Sequence, residues 1–122
     1  MYFVSVEREF DAAHYLRGYG GKCENMHGHR FRVVVTLAGR RLNKIGIVYD
    51  FTGLKRLLEP VLAKLDHKCL NEVPPFDRIN PSSENIARTI YNWLKPHFHG
   101  DGVTLASVEV WESPQSRAVY SP

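Results

Sequence analysis

The sequence of 122 residues predicts an α+β fold in which two helices pack on one face of a four-stranded, mainly antiparallel sheet. Two observations support this. Apolar patterns typical of strands lie near both ends of the chain, and the middle has two segments with apolar residues at helical spacing. No linker or low-complexity tract separates them. We therefore expect one domain, residues 1–122, in the order strand, strand, helix, helix, strand, strand.

The first two elements are predicted to be strands. Apolar and polar side chains alternate along residues 2–11, with Val4 and Val6 on one face and mostly acidic side chains on the other. Residues 27–39 contain a long apolar run. The glycine-rich segment between them, residues 16–22, is predicted to be a loop.

Two helices should follow. The first begins after Asp50, and Pro60 within its apolar stripe is expected to kink or split it, because proline lacks a backbone donor. The second begins at residues 80–84, Asn-Pro-Ser-Ser-Glu, which combine capping residues, a proline and an acid in the first turn. Its buried face is predicted to comprise Ile86, Ala87, Ile90, Trp93 and Leu94.

The last two strands are predicted to be joined by the turn at residues 113–115. Residues 103–112 alternate, and the side chains expected on one face are Ala106, Val108, Val110 and Glu112. Residues 117–120 form the final strand.

The composition argues against several classes of protein. The formal charge is +3 and the sequence pI is near 9.0, but the basic residues are scattered, so we expect no nucleic-acid partner. No apolar run is long enough to cross a membrane. Without a signal peptide, a cytoplasmic location and two reduced cysteines, Cys23 and Cys69, are expected, with Cys69 serving in packing.

The strongest functional signal is a set of three histidines. His27 and His29 are two apart at the start of a strand, so their rings should project from the same face. His14 ends the preceding strand-like segment and is the natural third ligand. Three imidazoles with an open fourth position are typical of catalytic zinc. His97 and His99 repeat the spacing but follow a proline in a loop, and we leave them out.

Cys23 has two functional interpretations. It could be a fourth zinc ligand, which would close the site and make it structural. Alternatively, its thiolate could act as a base or nucleophile beside the metal, where positive charge lowers the pKa of a thiol. A buried apolar role is disfavoured, because Cys23 lies in a glycine-rich loop.

Several other polar residues have both structural and functional interpretations. Asp66 and His67 are adjacent in sequence, and a histidine at a helix end interacts favourably with the helix dipole. Glu112 ends an apolar strand face, where it could either bind a ligand carrying N–H groups or extend into solvent. Capping adequately explains the residues at the second helix start, which are Ser82, Ser83 and Glu84.

These motifs, in this order, resemble the 6-pyruvoyl-tetrahydropterin synthase superfamily over nearly the whole chain. The matching segments are Phe10-Asp11-Ala12-Ala13-His14, Cys23-Glu24-Asn25-Met26-His27-Gly28-His29, Val48-Tyr49-Asp50-Phe51, Leu65-Asp66-His67, Asn80-Pro81-Ser82-Ser83-Glu84 and Val110-Trp111-Glu112. The short Cys-x-x-x-His-Gly-His spacing is similar to that of the bacterial 6-carboxy-tetrahydropterin synthases of queuosine biosynthesis. A subgroup that makes 6-hydroxymethyl-dihydropterin has glutamate in place of this cysteine.

The resemblance implies a tunnelling-fold (T-fold) unit and a zinc ion held by His14, His27 and His29. It implies that 7,8-dihydroneopterin triphosphate is cleaved to 6-carboxy-5,6,7,8-tetrahydropterin, acetaldehyde and triphosphate. Cys23 would be the base, and His67, supported by Asp66, the second proton-transfer group. Glu112 would accept hydrogen bonds from the pterin ring, with Ser82, Ser83 and Glu84 as further candidate substrate contacts.

The resemblance also implies a homo-oligomer, a trimer or a hexamer, in which a neighbouring subunit could supply Asp66 and His67. Two alternatives remain open. One is a 6-pyruvoyl-tetrahydropterin synthase, which would form a different side chain. The other is a non-catalytic, zinc-stabilised binding module in which Cys23 joins the three histidines as a ligand.

Overall fold

A computed structural model describes residues 1–100 and 102–122, and it describes the side chains of these residues except that of Cys23. Within this part of the chain there are two helices and five strands. The helices are α1 (Phe51–Ala63) and α2 (Ser83–Leu94); the strands are β1 (Tyr2–His14), β2 (His27–Gly39), β3 (Lys68–Cys69), β4 (Val103–Ser113) and β5 (Ser116–Tyr120).

The strands form one sheet in the order β3-β1-β2-β4-β5. All pairs are antiparallel except β1 with β3. The α+β class is confirmed, but the predicted four-stranded sheet lacked β3, the parallel edge strand. A strand of two residues is too short to show any alternation in the sequence.

Strand β1 runs three residues beyond its predicted end at Asp11. Ala12 and His14 stay on the buried face of the sheet, and they pair with His29 and His27 of β2. The longer strand therefore brings His14 into the sheet, directly opposite His27.

The helices cover one face of the sheet and share a single core with it. The largest fully buried side chains include, from the sheet, Phe10, Phe31 and Leu37, and, from the helices, Leu54, Leu58, Ile86, Ile90 and Leu94. The other face of the sheet has charged cross-strand pairs, such as Arg32 with Glu7. One face of the sheet thus packs against the helices, and the other carries charged side chains and points away from the core.

Both helix starts were predicted correctly. The Asp50 carboxylate accepts a hydrogen bond from the N–H of Thr52, and the Ser82 hydroxyl accepts one from the N–H of Asn85. Of the two expectations at Pro60, a kink or a split, the split was wrong, because α1 continues to Ala63. Proline has no N–H to donate to the carbonyl group of Arg56, four residues earlier. Because Pro60 and Arg56 are both exposed, water can hydrogen-bond to that carbonyl group instead.

A β-bulge corrects the predicted face of β4. Thr36 pairs with Ser107 and Leu37 pairs with Leu105, so Ala106 is the extra residue between them. Leu105 is buried instead of Ala106, and Val108 and Val110 follow on the core side as predicted. Among the described residues, no helix is both long and apolar enough to cross a membrane.

Candidate metal centre

Three histidines meet at one end of the β1–β2 pair. The ring centroids are 4.6 Å apart for His14 and His27, 5.2 Å for His14 and His29, and 4.8 Å for His27 and His29. The antiparallel register places them there, because His14 lies opposite His27 and Ala12 lies opposite His29. The structure thus brings together the three residues that the sequence predicted as metal ligands.

Backbone carbonyl groups determine which nitrogen of two rings carries the proton. Nδ1 of His14 lies 2.8 Å from the carbonyl oxygen of Pro81, and Nδ1 of His27 lies 2.6 Å from that of Asn25. A carbonyl oxygen only accepts hydrogen bonds, so each Nδ1 is the donor. Each neutral ring therefore has its lone pair on Nε2, the atom that can bind a metal.

Burial favours the neutral form of two of the imidazoles, those of His14 and His29. Burial lowers the pKa of His14, against the opposing effect of the Pro81 carbonyl, and burial also lowers the pKa of His29. The Nε2 atoms of both rings are buried and have no hydrogen-bond partner. Buried, unprotonated ring nitrogens that face one another are suited to binding a cation.

Glu112 completes the cluster. Its carboxylate oxygen Oε1 lies 3.3 Å from Nε2 of His14 and 3.4 Å from Nε2 of His29. Four potential ligand atoms, one each from His14, His27, His29 and Glu112, lie within 4.8 Å of one another. Glu112 was predicted either to bind a ligand carrying N–H groups or to extend into solvent, and a role as a metal ligand was missed. The alternation of β4 already placed Glu112 on one face with Val108 and Val110, but only the folded structure shows that this end of the strand lies beside the histidines.

The donor set fits a transition metal. Three imidazole nitrogens and one carboxylate oxygen suit zinc and similar ions better than calcium or magnesium, which prefer oxygen ligands throughout. The orphaned Nε2 atoms provide the structural reason for expecting an ion at this position.

The thiol of Cys23 lies outside the described part of the structure, so its two predicted roles stay predictions. The backbone around it forms a 3-10 turn, Lys22–Glu24, between β1 and β2. The Glu24 carboxylate accepts a hydrogen bond of 3.0 Å from the N–H of Gly18, which links this turn to the glycine-rich loop before it. Cys69 lies in β3 with its sulfur 3.7 Å from that of Met26.

Asp66 and His67 form a hydrogen-bonded pair, with Oδ2 of Asp66 lying 3.0 Å from Nδ1 of His67. His67 has a left-handed backbone with φ of 58°. The N–H of Asp11 donates to Asp66 and, together with His67, lowers the pKa of the Asp66 carboxyl group. Sequence reasoning missed Asp11, which lies on the face of β1 that points away from the core.

This second group is separate from the histidine cluster. Its potential ligand atoms, from Asp11, Asp66 and His67, form their own set. The His67 side chain is 77% exposed, whereas His14 is 1% exposed. The structure of one chain therefore does not place the Asp66–His67 pair among the three histidines.

The start of α2 borders the metal centre. The carbonyl group of Pro81 contacts His14, and Ser82 caps the helix. Ser83 and Glu84 line a cleft of about 380 Å³ together with Glu112, Ser116, Arg117, Ala118 and Val119. Two of the three predicted substrate contacts at this helix start therefore face the same cleft as Glu112.

Comparisons with known proteins support a relationship over the full chain. A family model described as 6-pyruvoyl tetrahydropterin synthase matches residues 3–122. A 6-carboxy-5,6,7,8-tetrahydropterin synthase from Haemophilus influenzae is 32% identical over 142 residues, which cover 98% of this chain and 99% of the relative. A 6-carboxy-5,6,7,8-tetrahydropterin synthase from Synechocystis is 39% identical over 126 residues, which cover 98% of this chain and 93% of the relative.

The fold has a close counterpart among solved structures. The 6-pyruvoyl tetrahydropterin synthase of Caenorhabditis elegans superposes with a TM-score of 0.83 at 31% sequence identity. The alignment covers 100% of this chain and 97% of that chain.

Proposed function

Because the chain belongs to the 6-pyruvoyl tetrahydropterin synthase family, we propose that it is a zinc-dependent lyase acting on 7,8-dihydroneopterin triphosphate. The products are 6-carboxy-5,6,7,8-tetrahydropterin, acetaldehyde and triphosphate, as in queuosine biosynthesis. Two relatives that match nearly the whole chain are named for the carboxy product. The Cys-x-x-x-His-Gly-His spacing supports the same subgroup.

The observation that carries this proposal is the convergence of His14, His27 and His29. Their rings lie within about 5 Å of one another, and the buried Nε2 atoms of His14 and His29 have no hydrogen-bond partner. A zinc ion held by these nitrogens would polarise the oxygen atoms of the substrate side chain. The protein's part is to orient the rings, and the carbonyl groups of Pro81 and Asn25 do this by accepting from Nδ1 of His14 and His27.

We assign recognition of the pterin ring to Glu112 and the neighbouring start of α2. A carboxylate can accept two hydrogen bonds from adjacent N–H groups of a heterocycle, and such charge-assisted bonds orient a planar ring. The cleft lined by Ser83, Glu84 and Glu112 supports this assignment. Ser82 contributes indirectly, because its hydroxyl fixes the first turn of the helix.

Two groups are proposed to move protons. The Cys23 thiolate removes a proton from the substrate side chain, and His67, supported by Asp66, serves as the second acid or base. Asp66 accepts from the Asp11 N–H and contacts Nδ1 of His67, so it can orient that ring and leave Nε2 for the substrate. Because His67 is exposed and lies outside the histidine cluster, we propose that it serves the site of a neighbouring chain in a cytoplasmic homo-oligomer.

Product analysis tests the proposed reaction. Zinc-loaded protein is incubated with 7,8-dihydroneopterin triphosphate under reducing conditions, and the products are identified by mass spectrometry. We expect 6-carboxy-tetrahydropterin together with acetaldehyde. A pyruvoyl side chain in the product would favour the alternative activity, for which the similarity to the C. elegans structure is the supporting observation.

A second test separates an enzyme from a zinc-stabilised binding module. Cys23→Ala should keep zinc and stability but lose turnover if the thiol is a base. If Cys23 is a structural ligand, the same variant should lose zinc and stability together. Cys69→Ala is the matched control, because that thiol lies in β3 against Met26.

A further inference from the structure

We propose that Asn71 and Asn80 are positioning residues for the metal centre, which hold His14 in the orientation that binds the ion. Each side-chain amide binds the backbone of one residue in the chain that follows β1. Neither asparagine belongs to the four potential ligands, so each acts on the ion only through His14. This inference rests on the metal ion of the proposed function and on no feature of its substrate.

The contact to be maintained joins the ring of His14 to the carbonyl group of Pro81. Nδ1 of His14 lies 2.8 Å from that oxygen, and both residues are buried. They are 67 positions apart in the sequence, so local structure does not keep them together. Nε2 of His14 faces the metal centre only while the chain after β1 stays aligned with the chain before α2.

Asn80, the residue before Pro81, provides the first link between these two segments. Its Oδ1 accepts a hydrogen bond of 2.9 Å from the N–H of Arg17, and its Nδ2 donates one of 2.9 Å to the carbonyl group of the same residue. The carbonyl group of Asn80 in turn accepts a hydrogen bond of 2.9 Å from Nδ2 of Asn85 in α2. Because Arg17 lies three residues after His14, this link holds both partners of the contact between His14 and Pro81.

Asn71 provides a second link of the same kind. Its Oδ1 accepts from the N–H of Tyr15 and its Nδ2 donates to the carbonyl group of Tyr15, both at 3.0 Å. The pairing of β1 with β2 ends at His14, and Tyr15 is the next residue. The amide therefore supplies hydrogen-bond partners to the backbone at the point where the sheet no longer does. Asn71 is only 5% exposed, so water cannot easily replace these partners.

Both links need an amide group. At each position one atom of the side chain accepts from an N–H group and the other donates to a carbonyl group, and asparagine offers both functions. Aspartate has nearly the same shape but has no donor. In its place, a carboxylate oxygen would face the carbonyl oxygen of Tyr15 or Arg17 at about 3 Å, and two acceptors at that distance repel each other.

Zinc binding by aspartate variants tests these links. Asn80→Asp keeps the acceptor and loses the donor, so in competition with a chelator it should bind zinc about tenfold more weakly than wild type. Asn71→Asp should change zinc affinity in the same direction. Asn80→Ala, which lacks both hydrogen bonds but introduces no repulsion, should behave like Asn80→Asp. Asn43→Asp is the matched control and should match wild type, because Oδ1 of Asn43 makes its contacts, with the N–H groups of Ile45 and Ile47.

The ring of His14 provides a readout that requires no metal and that a loss of stability alone would not change. NMR spectra of metal-free wild type with isotope-labelled histidine should show the His14 proton on Nδ1, in slow exchange with water because the contact is buried. In Asn80→Asp this proton should exchange faster, and the ring should also populate the form with its proton on Nε2. Asp50→Ala, which loses the cap of α1, should keep the wild-type signals of His14.

Unchanged zinc affinity and an unchanged His14 ring in both Asn80 variants would overturn the proposal, even if their free energy of unfolding falls. The asparagines would then stabilise the fold without positioning a ligand. The proposed function can fail separately. If the Asn80 variants lose zinc affinity but the wild type makes no 6-carboxy product, the positioning role stands and the proposed function falls. If the product forms and these variants bind zinc like wild type, the function stands and the positioning role falls.

Discussion

At the scale of single residues, the metal centre depends on which nitrogen of each ring is free. The Pro81 and Asn25 carbonyl groups fix this choice for His14 and His27. The sequence could indicate the three rings, because spacing of two on a strand places side chains on one face. The sequence could not indicate which carbonyl groups accept from these rings, because every residue has a carbonyl group. Only the folded structure shows that Pro81 lies next to His14.

The ligand assignment predicts the effect of losing one ring. His29→Ala should weaken zinc binding at least about tenfold, because the remaining donors cannot complete the site. His99→Ala is the control, since His97 and His99 repeat the spacing of two but are exposed. Zinc content measured after dialysis against a chelator checks this. Equal zinc loss in both variants would contradict the assignment.

The Asp66 carboxyl group predicts a pH dependence of stability. Its pKa is lowered in the folded protein by the Asp11 N–H and by His67, so the unfolded chain binds the proton more readily. The resulting stabilisation is present above the ordinary pKa of 3.8 and is lost as the pH falls through the lowered value.

Asp66→Asn should remove this contribution, because the amide cannot ionise. The difference in the free energy of unfolding between wild type and Asp66→Asn should therefore shrink on acidification below pH 3.8. Denaturant titrations at several pH values measure it. A difference that stays constant with pH would show that the contact does not depend on the charge.

At the scale of elements, capping residues and long apolar patterns predicted the helices and the four longer strands. Two of the failures show why local irregularities escape such patterns. β3 contains only two residues, and the bulge at Ala106 shifts which side chains of β4 are buried. Neither a two-residue pairing nor an extra residue in a ladder produces a periodic signal.

The capping interaction of α1 gives a prediction at this scale. Asp50→Ala removes the side chain that accepts from the Thr52 N–H and should lower the free energy of unfolding by about 0.5–2 kcal/mol. Asp50→Asn should change it much less, because asparagine caps about as well as aspartate. Thermal or denaturant unfolding compares the three proteins. If both substitutions cost the same, the charge rather than the cap would be responsible.

At the scale of the whole molecule, the two candidate groups of one chain form separate clusters. The histidine cluster lies at the end of the β1–β2 pair, and the Asp66–His67 pair belongs to a separate group with Asp11. The sequence predicted both sets of residues, but adjacency in sequence could not show whether they act in one chain. If they act together across an interface, a single chain is an incomplete enzyme.

Mixing two inactive variants tests this arrangement. His29→Ala and His67→Ala should each have greatly reduced turnover. When they are unfolded together and reassembled, sites with an intact histidine cluster from one chain and an intact His67 from another should form and restore part of the activity. Reassembly of each variant alone is the control. No recovery in the mixture would indicate that His67 acts within its own chain.

The central claim is that His14, His27 and His29 hold one ion and leave it accessible to the substrate. Anomalous diffraction at the zinc edge from crystals of zinc-loaded protein tests this most directly. We expect a single peak within bonding distance of the three Nε2 atoms. Absence of a peak at that position, or imidazole rings that point away from one another, would contradict the account.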